Sequence, residues 1–149
     1  MEITIIVVCL LLSAFFSGME IAYISSNKVY LSIEKRQQNF NASILNKLTE
    51  KPSQFITAML VGNNVVLVVY GIYSGDLIIN WLEGYFNLTA FVGLLLQTLI
   101  STAIILLTAE FLPKVFFQIY ANSFIKFFAV PSYFFYKLFY YISSFLIWI

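Results

Sequence analysis

Histidine is absent from this chain, and cysteine occurs once, as Cys9. An intrachain disulfide is therefore impossible, and a zinc or haem site loses its usual imidazole and thiolate ligands. Charge is equally scarce. Lys and Arg number 8 and Asp and Glu 7, which makes 10% of 149 residues and a net charge of +1. A soluble domain carries about 25% charged residues. Without a basic run, nucleic acid has no electrostatic foothold. Without histidine or a nucleophile–base pair, the chain offers no enzyme chemistry.

What is present is apolar: 61% of the residues are hydrophobic. The expectation is an all-α integral membrane protein with one domain's worth of chain, three transmembrane helices and further interfacial helices. The first span covers about residues 3–26. Glu2 precedes it in place of a basic region, and no small-residue cleavage pattern follows, so it reads as a retained span. Its second half turns polar: Ser13, Ser17 and Glu20 share one face at i, i+4, i+7 spacing. Serines in such a helix also serve as packing glue.

Residues 27–51 alternate charged and apolar positions and read as one or two amphipathic helices lying on the membrane. Pro52 opens the second span, about 52–82, as a first-turn proline. Inside it lies Gly62-Asn63-Asn64. Adjacent asparagines in an apolar helix need partners, either another helix or a cation suited to hard amide oxygens. Gly62 beside them would permit local unwinding. Gly71 and Gly75 form a Gly-x-x-x-Gly face, a common and weak packing signal.

The third span, about 88–113, closes on Thr108-Ala109-Glu110-Phe111-Leu112-Pro113-Lys114. A carboxylate within a span marks a functional site or a helix end at the interface. If the helix continues through Pro113, the carbonyl of Ala109 loses its donor and lies beside Glu110. The tail, 115–149, carries fifteen of the 28 aromatics together with Lys126, Pro131 and Lys137. It reads as helices lying in the interface and broken at Pro131, with a fourth span over 127–149 as the alternative. No lysine or arginine precedes the first span or lies between the second and third. The positive-inside rule then places the N-terminus outside and the C-terminus in the cytoplasm, in the cell membrane.

Ser17, Asn63 and Glu110 thus fall at similar depth on three spans. Ser17 hydroxyl, an Asn63 or Asn64 amide, the Glu110 carboxylate and the Ala109 carbonyl could form one cage of hard oxygens, favouring Mg²⁺, Ca²⁺, Mn²⁺ or an alkali ion. Glu20 could join it or pair with Lys114.

Three motifs carry a resemblance: Phe16-Ser17-Gly18-Met19-Glu20-Ile21-Ala22, Gly62-Asn63-Asn64, and Glu110-x-x-Pro113-Lys114. In this order and spacing the chain resembles, over essentially its whole length, the transmembrane domain of the CNNM/CorC magnesium transporters, also known as hemolysin-related proteins. The resemblance implies a homodimer with three spans per subunit, an outside N-terminus and a belt of juxtamembrane helices. It implies a largely dehydrated Mg²⁺ in an inward-facing cavity, held by Ser17, Asn63 and Glu110. Asn64, Glu20, Pro113 and Lys114 match motif positions. One departure is Ala109, where the family usually has glycine. Family members continue into a cytosolic CBS pair that binds adenine nucleotide, so the chain is expected to be the membrane part of such a protein. The function the resemblance implies is Mg²⁺ transport, as Na⁺-coupled export. The alternatives are a non-transporting Mg²⁺ sensor and a membrane dimerisation anchor.

Overall fold

The computed structural model describes residues 1–149, and every regular element in it is helical. Helix α1, Glu2–Ser25, is 24 residues long. At ~1.5 Å per residue it crosses a ~30 Å hydrocarbon core. It ends where Ser26 turns extended and its hydroxyl donates to the Tyr23 carbonyl at 2.8 Å. Asn27 then caps α2, Lys28–Arg36, by accepting from the Val29 and Tyr30 amides. Asn39 caps α3, Phe40–Glu50, through the Ala42 amide. Each asparagine oxygen takes up one or two amides that lack an intrahelical acceptor.

Helix α4, Pro52–Tyr85, starts on Pro52 and runs unbroken for 34 residues. Gly62 therefore does not unwind it. A methyl group at Gly62 would lie 2.9 Å from the Phe16 ring and 3.1 Å from that of Phe139. The glycine is there to let aromatic rings approach, and the helix hydrogen-bond ladder survives.

The third span begins as α5, Ala90–Ile104, and passes into a π-helical segment, Ile105–Phe111. It resumes as α6, Leu112–Ile119, so Pro113 is passed through rather than used as a stop. Together these make a continuous 30-residue apolar helix, one of three able to cross a membrane by length and composition. The wide turn has a local cause. Pro113 cannot donate to Ala109 and its ring crowds that carbonyl; the bonding register slips, and the Leu112 amide bonds the Leu107 carbonyl, five residues back.

The tail folds as three short helices: α7, Ala121–Phe127; α8, Ala129–Leu138; and α9, Tyr140–Trp148. The breaks fall at Phe128 and Phe139, not at Pro131. Proline at the third position of α8 sits where the backbone amide has no partner within its own helix. None of the three is long enough to cross a membrane as a single helix.

The core gathers around one end of α1 and α4. Phe16, Met19, Phe55, Ala58 and Met59 are packed against Ile44, Leu45 and Leu48 of α3 and Ile125, Ala129 and Tyr136 of the tail. Phe15 and Phe16 meet the tail rings edge-on: Phe15–Phe128 centroids are 5.6 Å apart and Phe16–Phe135 4.8 Å. Gln54 of α4 donates to the Tyr140 carbonyl at 2.9 Å and to Ser143 at 2.7 Å, fastening α9. Lys126 of α7 pairs with Glu34 of α2 at 3.1 Å. At the other end, Ser74 and Ser101 hydroxyls lie 3.1 Å apart across α4 and α5. Around that seam Val68, Ile72, Phe91, Leu94 and Leu99 are exposed, an apolar surface suited to a bilayer.

Candidate cation site

Helix α1 is the common wall, packed against α4 on one side and against the π-helical segment and α6 on the other. On the α4 side, Ser13 donates to the Asn63 side-chain oxygen, and both residues are buried. On the α6 side, Gly18 lies under Phe117; a methyl group there would come within 2.5 Å of the ring. Between these contacts sits Ser17, 1% exposed, whose hydroxyl has no hydrogen-bond partner. An unpaired buried hydroxyl costs about 1–3 kcal/mol, so it marks a place where a partner belongs.

The π-helical segment presents Ala109, fully buried, and Glu110, half-buried. Pro113 is buried one turn further on. Glu110 has no ion-pair partner within 4 Å, since Lys126–Glu34 is the only salt bridge formed. The Glu20–Lys114 pair, one of the two roles the sequence left open for Glu20, is not made. Instead Glu110 and Lys114 flank an open trough of about 520 Å³ whose walls are Ile21, Leu106, Leu107 and Phe111.

No hydrogen bond joins Ser17, Asn63 and Glu110 to one another. Asn64 is exposed, rotated about 100° around α4 from the buried Asn63. Glu20 is half-buried on α1. Ser13 was visible as the i−4 neighbour of Ser17, but sequence spacing does not say which serine meets an asparagine on another helix. No three acidic, cysteine or histidine side chains gather anywhere. A cation here would rest on hydroxyl, amide and carbonyl oxygens with one carboxylate, a set that suits hard ions. The residues fit such an ion: Ser17 supplies an unused lone pair, and the Asn63 oxygen keeps a second one after accepting from Ser13.

Three spanning helices, a collar of short amphipathic helices and polar oxygens buried between the spans define an all-helical membrane domain with an internal polar site. Residues 4–149 match the CNNM family, described as the cyclin M transmembrane N-terminal domain, and the chain belongs to that family. It is 30% identical over 112 residues to the UPF0053 inner membrane protein YfjD of Escherichia coli K12, covering 75% of this chain and 24% of the relative. A UPF0053 protein of Haemophilus influenzae is 42% identical over 62 residues, 42% of this chain and 15% of that protein. A polyamine export protein of Escherichia coli K12 is 35% identical over 69 residues, 46% of this chain and 15% of that protein. The aligned stretches thus cover less than a quarter of these relatives' length.

Proposed function

We propose that this chain is the membrane domain of a cation exporter and that Mg²⁺ is its cargo, bound between α1, α4 and the π-helical segment. The observation that carries this reading is the buried, unpartnered Ser17 hydroxyl on α1, which packs against the span where it widens into the π-helical turn holding Ala109 and Glu110. Disrupted helices with buried polar groups at membrane depth are where transporters place ions. Ser17, Asn63 and Glu110 hold the ion, and the Ala109 carbonyl, deprived of its α-helical donor by Pro113, adds a backbone oxygen. Glu110 supplies the single negative charge, so binding is weak enough for release. Export is driven by Na⁺ entering in exchange. The working unit is a homodimer in the cell membrane, with the N-terminus outside and the basic helices α2 and α3 in the cytoplasmic interface. It has no enzymatic role, and adenine nucleotide acts only through a cytosolic CBS pair beyond this domain.

A second reading keeps the site and changes the cargo. The relatives named for polyamine export, together with the trough beside Glu110, favour an organic polycation. An alkyl stem would lie against Leu106, Leu107 and Phe111 while an ammonium group meets Glu110. Flux measured with the full-length protein in proteoliposomes separates the two. Mg²⁺ efflux abolished by Glu110→Ala and by Ser17→Ala supports the first reading. Polyamine efflux that needs Glu110 but not Ser17 supports the second. Flux of both cargoes indifferent to Glu110 overturns both.

A further inference from the structure

On the same end of the bundle as the core, but away from Ser17 and Glu110, a second cavity of about 500 Å³ opens between α3, α8 and α9. Its walls bring together three lysines, Lys47, Lys51 and Lys137, with one carboxylate, Glu50. None of the three ammonium groups has a carboxylate within 4 Å. Lys47 and Lys137 come from different helices and converge on one ring: their Nζ atoms lie 5.4 Å and 5.0 Å from the Tyr133 centroid. A ring face attracts a cation, but two cations on one ring repel each other. The Tyr133 phenol is held below its ordinary value, first by the Lys137 ammonium beside it and then by the charge of Lys47. Hydroxyl donors from Tyr136 and Tyr140 complete the wall.

The cavity lies at a boundary of polarity. The helices that form its α8–α9 side expose Phe134, Leu138, Phe145 and Trp148, as interfacial helices do. Lys51 immediately precedes α4, whose apolar run begins at Phe55. We propose that this cavity binds the phosphate of an anionic phospholipid headgroup, bridged by Lys47 and Lys137 over Tyr133, with the acyl chains lying along the apolar faces of α8 and α9. A phosphate between two ammonium groups converts their repulsion into two charge-assisted hydrogen bonds. Free inorganic phosphate has the same head chemistry; the acyl chains favour the lipid. Nothing in this inference depends on which cargo the Ser17–Glu110 site carries.

The test uses the purified chain in a neutral detergent, with thermal unfolding followed as lipid is added. Phosphatidylglycerol at low micromolar concentration is expected to raise the unfolding temperature, and phosphatidylcholine at the same concentration is not. The rise is expected to disappear in the Lys47→Gln/Lys137→Gln double variant and to persist in Lys28→Gln/Lys35→Gln, which removes as much charge elsewhere. Should the double variant fail to fold, native mass spectrometry of Lys137→Gln is the second measure. At least a tenfold loss of retained phosphatidylglycerol supports the site, and unchanged retention overturns it. Equal stabilisation by inorganic phosphate at the same concentration overturns the lipid assignment. Equal stabilisation of both double variants by phosphatidylglycerol overturns the site itself.

Discussion

The Ser13 hydroxyl of α1 donates to the side-chain oxygen of Asn63 on α4, and neither residue is exposed to solvent. This bond sets the depth at which the two antiparallel spans meet. Ser13→Ala leaves the Asn63 oxygen without its donor. Polar bonds between membrane helices average about 0.6 kcal/mol and reach about 1.7. The expected loss of stability is of that size, read as a drop in the unfolding temperature in detergent. Mg²⁺-dependent stabilisation is expected to weaken as well, because Asn63 is no longer held.

The glycines of the first two motifs differ from Gly71 in what surrounds them. A methyl group at Gly18 would press on Phe117, whereas one at Gly71 would meet nothing within 4 Å. Overpacking costs about 1–3 kcal/mol. Gly18→Ala is therefore expected to destabilise by that amount. Gly71→Ala is expected to be neutral or to stabilise by up to about 1 kcal/mol, since glycine weakens a helix interior. Parallel thermal melts check the contrast.

Pro113 is the only residue in the π-helical segment or the turn after it that lacks an amide hydrogen. Pro113→Ala restores a donor to the Ala109 carbonyl. The third span is expected to anneal toward regular α-helix, keeping its fold while losing at least tenfold in Mg²⁺ affinity. Backbone amide hydrogen exchange at residue 113 and a Mg²⁺ titration report the two effects separately.

The Lys126 ammonium is held above its ordinary value by its hydrogen bond to Glu34 and by that carboxylate's charge. A raised lysine value means the contribution is whole below the unfolded value of about 10.4 and fades as pH rises through the folded one. Stability near neutral pH is then insensitive to this lysine's titration. Glu34→Gln is expected to bring the Lys126 value down, measurable by NMR of the methylated lysine.

Much of the architecture was legible because the membrane imposes it. Three apolar runs long enough to span, with Asn27–Lys51 as a polar collar, follow from length and composition alone. The tail was legible in kind but not in detail: Pro131 drew the break to itself, yet a proline in a first turn does not end a helix, and the kinks fall at Phe128 and Phe139. Gly62 suggested unwinding because sequence shows a missing side chain but not the Phe16 ring that fills its place. At the candidate site, depth could be counted along each span. The rotation of one helix against another could not. That rotation gives Asn63 to Ser13, leaves Ser17 unpaired and turns Asn64 outward. The trough beside Glu110 and the lysine cavity on α3 and α8 likewise depend on helices that are distant in sequence.

The central claim is that Ser17, Asn63 and Glu110 hold one cation. Its most direct test is Mg²⁺-dependent thermal stabilisation of the purified chain beside Ser17→Ala, Asn63→Leu and Glu110→Gln. A one-site ligand at 100 times its dissociation constant stabilises by about 2.7 kcal/mol. A saturable rise with Mg²⁺ is expected in the native chain, and each substitution is expected to remove it. A rise of the same size and midpoint in all four proteins would contradict the claim.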